Sequence, residues 1–131
     1  MLREDVREEL LKAALERRTV TYGFLMLKFG FTRGGESGQS VVSALSEIDR
    51  DEERHGGPGF AALVVRKDTG FPGGGFFSWK DIPADIRRNE SDSQSPKLSE
   101  KEKAYVRARQ EEIWTHYQKH NSDRIRQRSL A

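Results

Sequence analysis

Between Thr21 and Phe77 the chain alternates apolar stretches with glycine-rich breaks, in an order that few folds accommodate. Tyr22 to Phe29 is short, mostly apolar and followed by Gly30, which predicts a buried helix with a glycine stop rather than a strand. Phe31 to Gly38 contains three glycines and reads as a turn. Val41, Val42, Leu45 and Ile48 then recur at helical spacing. They predict a third helix from about Ser37 to Arg54, with Gln39, Ser40, Ser43 and Ser46 on its other face. His55-Gly56-Gly57-Pro58-Gly59 ends that helix. Phe60 to Arg66 reads as a strand and Lys67-Asp68-Thr69-Gly70 as a tight turn. Phe71 to Gly74 would then form a tip, and Gly75 to Trp79 a returning strand.

The flanks are simpler. From Arg3 to Arg18 the residues Val6, Leu10, Leu11, Ala14 and Leu15 mark one face of a first helix. Its early acids, Asp5, Glu8 and Glu9, and its late bases, Arg17 and Arg18, suit the helix dipole. Thr19 to Thr21 predicts a short strand. Residues 81–97 turn polar, with Asn89 to Pro96 resembling a solvated linker. Ser99, with Glu102 three residues on, carries the signature of a capping box. The helix after it, within 98–120, would bury Tyr105 or Val106, Ile113, Trp114 and Tyr117. Packing against the first helix is the expected arrangement, because a small core needs that area; docking on a partner chain or in a swapped dimer is the alternative. The tail, 121–131, is basic and nearly devoid of apolar residues, and is expected to fray. The prediction is an α+β fold: a winged helix-turn-helix over 1–80, three helices plus a β-hairpin wing, with an extra C-terminal helix.

Composition narrows the function classes. Hydrophobic and charged residues each make up 34% of the 131 residues, so the core is small and the surface highly charged. The net charge of +2 is too mild to argue for nucleic acid by itself, because phosphate binding needs local clusters. The absence of cysteine excludes disulfides, thiolate metal sites and a cysteine nucleophile. Met1-Leu2-Arg3-Glu4-Asp5 lacks the apolar run of a signal peptide, and Phe60 to Val65 is too short to cross a bilayer. A soluble cytoplasmic protein without membrane contact is the expectation.

The central motifs resemble the winged-helix DNA-binding half of alkylguanine-DNA alkyltransferases and alkyltransferase-like proteins, over roughly Val20 to Phe77. Thr21-Tyr22-Gly23 matches the tripeptide that begins the first helix of that motif. Gln39 to Leu45 corresponds to the recognition helix, Phe60 to Val65 to the segment bearing the reactive cysteine, and Gly73-Gly74-Gly75-Phe76 to a glycine-rich return. The resemblance implies a duplex-DNA-binding fold. It also places Ala61 where the alkyl-accepting cysteine belongs, Ala62 where its activating histidine belongs, and Gln39 where an arginine fills the stack left by a flipped base. Alkyl transfer is therefore excluded, and the implied role is DNA binding without catalysis.

On that reading Gln39, Ser40 and Ser43 face the major groove, where glutamine pairs with adenine and serine contacts bases or phosphates. Tyr22 would donate its hydroxyl to a phosphate, and Arg33, Arg66 and Lys67 would flank the groove as backbone contacts. Each also has a plainer reading, as a solvated face, a half-buried aromatic or an ordinary surface cation. The acidic run Asp49, Asp51, Glu52 and Glu53 requires the far end of the third helix to point away from DNA, or the helix to bind protein. Gly70 to Gly75 lacks the lysine and hydroxyl residue that a phosphate-cradling loop places at the following helix, so a wing turn is expected. His116 and His120, with Glu112 one turn earlier, share a helix face but lack further ligands for a metal. Neither a cofactor nor a reaction is predicted. A protein-interaction subunit, as a homodimer or within a larger assembly, is the second class, supported by the small net charge and the amphipathic segment Glu100 to His120.

Overall fold

The computed structural model describes residues 2–30, 41–73, 76–77, 82–89 and 97–130. Among them the fold is α+β, with four helices and one two-stranded sheet. The helices are α1 (Leu2–Leu15), α2 (Tyr22–Phe29), α3 (Val41–Arg54) and α4 (Glu100–Leu130). The strands are β1 (Val20–Thr21) and β2 (Val64–Val65), and a 3-10 turn (Ala61–Leu63) precedes β2.

The helix boundaries follow local chemistry. Thr21 caps α2, its hydroxyl oxygen accepting from the Phe24 N–H at 3.1 Å, and Gly30 ends that helix. Ser99 and Glu102 form the expected reciprocal box: the Ser99 N–H donates to Glu102 Oε1 at 2.9 Å, and the Glu102 N–H to Ser99 Oγ at 3.1 Å. At the end of α3 the Gly57 N–H reaches Glu52 O at 2.8 Å and the Gly56 N–H reaches Glu53 O at 3.1 Å, the paired closure that satisfies the last carbonyls. The same closure ends α1, with a non-glycine residue, Arg17, in the left-handed region at φ 53°. Its side chain gains contacts there: the guanidinium pairs with Glu111 and lies over the Trp114 ring at 5.2 Å, tying the end of α1 to α4.

The core collects one face of each helix. Val6, Leu10, Ala13 and Ala14 of α1 meet Leu25 of α2, Leu45 and Ile48 of α3, and Ile113 and Tyr117 of α4. Phe60 and Tyr117 stack at 4.5 Å between centroids. The C-terminal helix thus covers its own domain, as expected. Trp114 Nε1 donates to Arg18 O at 3.1 Å and Gln118 Nε2 to Leu15 O at 3.0 Å. No described helix is long and apolar enough to cross a membrane.

Two expectations are corrected. The first concerns the sheet. β1 and β2 run parallel, with Val20 opposite Val64 and Thr21 opposite Val65, so the described sheet is not a hairpin. Of the expected strand Phe60 to Arg66, Ala61 to Leu63 coil into the 3-10 turn, and only Val64–Val65 is extended. Phe76 and Phe77, expected in a returning strand, lie in a helical turn closed by the Phe76 N–H on Gly73 O at 3.0 Å. Apolar content alone does not distinguish these conformations. The cap that bends the Phe60 segment comes from Asp49, in another element. The second correction is the tail: the helix continues through 121–130 rather than ending near His120. Arginine and glutamine are good helix formers, and 121–130 contains no glycine or proline to stop the helix.

Within residues 82–89, part of the segment predicted as a polar linker, two side chains are anchored on the domain. Ile82 is buried, and Arg88 grips Glu102 through Nε at 2.6 Å and Nη2 at 2.9 Å. Arg88 also donates to Lys97 O at 2.7 Å and lies over the Phe77 ring at 5.2 Å.

Candidate nucleic-acid interface

The parallel strand pair decides which predicted contacts meet. Thr21 opposite Val65 sets the next residues, Tyr22 at the start of α2 and Arg66 after β2, at the same edge of the fold. The Arg66 charge acts on the Tyr22 hydroxyl, which also has a backbone hydrogen bond with Gly73. Burial pushes the Tyr22 hydroxyl up, the Gly73 bond and Arg66 opposing, so it stays protonated and able to donate at neutral pH.

The turn carrying Arg66 is tightly closed. The Gly70 N–H donates to Arg66 O and the Arg66 N–H to Phe71 O, both at 2.8 Å. The Phe71 N–H donates to Thr69 Oγ1 at 3.2 Å. Arg66 holds Asp68 through Nε at 3.0 Å and Nη2 at 2.7 Å, while Lys67 is exposed. A phosphate approaching this edge would meet Lys67 and the Arg66 edge not turned to Asp68.

Behind the edge lies a buried acidic network that sequence reasoning missed. Asp49 and Glu52, read as part of an acidic run, face the interior of the domain. Asp49 Oδ1 accepts from the Phe60 N–H at 2.7 Å and Oδ2 from the Ala61 N–H at 3.2 Å, so the carboxyl caps the 3-10 turn that leads into β2. Burial pushes Asp49 up to about 7, with the two N–H bonds opposing. The Tyr117 hydroxyl donates to Glu52 Oε2 at 2.9 Å. Glu52 Oε1 faces Arg7 as an ion pair, although the geometry is not that of a hydrogen bond. The period of α3 offers a partial signal for these acids, since Asp49 and Glu52 lie four and seven residues after Leu45, on the stripe of the apolar residues. Their partners, Phe60, Arg7 and Tyr117, are distant in sequence, and nothing local points to them.

A cleft beside Asp49 is lined by Ala61, Ala62, Tyr105 and Arg109 among others and has room for roughly one water molecule. The methyl groups of Ala61 and Ala62 offer no nucleophile or base. Arg109 is engaged with Pro58 O at 2.8 Å and Glu112 at 3.1 Å. The His116 and His120 rings lie tilted at 37° with centroids 4.2 Å apart, and burial followed by the His120 charge lowers His116. Among the described residues no group of three or more histidine and carboxylate side chains is placed to hold a metal.

Of the other predicted contacts, Ser43 lies exposed on α3. Arg33, Gln39 and Ser40 lie outside the described residues. Comparison with family models, curated proteins and solved structures finds no match for this chain.

Proposed function

We propose that this chain is a cytoplasmic, non-catalytic duplex-DNA-binding protein of winged-helix type. In it α3 is the reading helix, and the Arg66–Phe71 turn stands in the place of the wing. The observation that carries the reading is the meeting of Tyr22 and Arg66 across the β1–β2 pair, since both were read as phosphate contacts from remote stretches. The kinship proposed on Thr21-Tyr22-Gly23 and the following motifs points to the same partner. Gln39, Ser40 and Ser43 would contact the groove, and Lys67 the backbone. Asp49 and Glu52 turn inward, which removes two of the charges that would repel phosphate from α3.

The test is a fluorescence-anisotropy titration of labelled duplex DNA at low and moderate salt. Micromolar, strongly salt-dependent binding is expected, and its absence rejects the proposal. Replacing Arg66 and Lys67 by alanine should weaken all sequences alike, whereas Gln39→Ala should alter preference among them.

A second reading, docking on a protein, rests on α2. Phe24 is 44% exposed and Leu27, three residues on, 88% exposed. Two large apolar side chains on one helix face fit a homodimer or an assembly partner. A concentration-independent monomer in light scattering would count against the homodimer, and a co-purified partner lost on Leu27→Ser would favour the assembly.

A further inference from the structure

The cationic edge continues onto α4. Arg107 is exposed, and its guanidinium carbon lies 5.4 Å from the centroid of the Phe71 ring. Phe71 is fastened to Arg66 by the 2.8 Å bond from the Arg66 N–H to the Phe71 carbonyl, so Arg107 stands beside the Arg66 turn. Tyr22, Arg66, Phe71 and Arg107 are therefore linked by successive contacts, drawn from α2, the end of β2, the turn and α4. Asp68 offsets the charge of Arg66, so the net positive charge of this edge depends on Lys67 and Arg107.

A guanidinium resting on an aromatic ring is restricted in its rotamers while its N–H edge stays available to a planar, two-oxygen acceptor. The hydrogen bonds within the turn fix the Phe71 backbone that carries the ring, and the ring contact restrains the cation before any ligand arrives. We infer that Arg107 is a phosphate-contacting residue, by which α4 grips the same duplex-DNA backbone as Tyr22, Arg66 and Lys67. The inference rests on the DNA-binding reading above. It gives the long C-terminal helix a part in binding as well as in covering the core.

Anisotropy titrations with a labelled duplex over a range of salt, on the full-length chain, provide the test. Arg107→Ala should reduce the slope of log affinity against log salt by about one and weaken all duplexes alike. Arg107→Lys, which keeps the charge, should hold the slope near the wild-type value. Lys12→Ala, at an exposed position of α1, should match the wild type in both respects. Unchanged far-ultraviolet circular dichroism establishes that the variants are folded. If Arg107→Ala keeps the wild-type slope while Lys67→Ala lowers it, Arg107 does not touch DNA; the inference falls and the DNA-binding reading stands. If the wild-type chain shows no salt-dependent binding, both fall.

Discussion

Gly59 and Gly56 offer a matched pair of substitutions, because both have φ +81° and only one has a neighbour in the way. A Cβ on Gly59 would lie 2.6 Å from Asp49 Cγ and 2.8 Å from each carboxylate oxygen, whereas a Cβ on Gly56 meets nothing within 4 Å. A left-handed backbone costs an alanine about 1 kcal/mol at either position. At Gly59 the carboxyl must also move, and it is pinned by the Phe60 and Ala61 N–H groups at 2.7 and 3.2 Å. Loosening bonds to a partly charged acceptor adds roughly 2–3 kcal/mol. Gly59→Ala should therefore lose about 3–4 kcal/mol and Gly56→Ala about 1, a large difference against a total stability on the order of 5–15 kcal/mol. Urea denaturation followed by far-ultraviolet circular dichroism measures both, provided the m-values agree. Equal losses would refute the reasoning, because Asp49 would then be free to swing aside without loss.

Three further outcomes follow from the same contacts. The Asp49 value in the fold, raised to about 7, lies above its unfolded value, so the stabilisation from holding this proton is full below about pH 4 and is lost as pH rises through about 7. Melting temperatures across that window should fall more steeply with pH for the wild type than for Asp49→Asn, and parallel curves would contradict the assignment. Arg88→Ala strands Glu102 in a site where both side chains are under a tenth exposed, and should cost about 3–5 kcal/mol in urea denaturation; a loss below about 1 kcal/mol would contradict it. Ending the chain at Ser95 removes Val106, Ile113 and Tyr117 from the core, roughly 1.5–3 kcal/mol for each large side chain. The shortened chain should unfold or precipitate, and an unchanged melting temperature would show that α4 contributes little to the fold.

What the sequence made legible was local. The Gly30 stop, the Ser99–Glu102 box and the apolar face of α4 each depend on residues within a few positions of one another. The sheet was not legible, because Val64–Val65 pairs with a strand more than forty residues earlier and in the parallel sense. A run such as Phe60 to Val65 reads as one strand until Asp49 is known to cap its first residues. The buried acids escaped for a related reason: Asp49 and Glu52 sit in a charged run, and their partners arrive from α1, α4 and the loop after α3. Within the candidate interface, Tyr22, Arg66 and Lys67 were identified as residues, but their grouping was not. Arg107 carried no signal at all, because its position depends on how α4 crosses the Arg66–Phe71 turn.

The central claim is that this fold binds duplex DNA along the Tyr22–Arg66 edge. The most direct measurement is the anisotropy of a labelled duplex titrated with the wild-type chain and with the Arg66→Ala, Lys67→Ala double variant at two salt concentrations. The account predicts micromolar binding that weakens steeply with salt, and a double variant with a salt slope shallower by roughly one to two units. Binding that is absent, insensitive to salt or unaffected by the double substitution would contradict it.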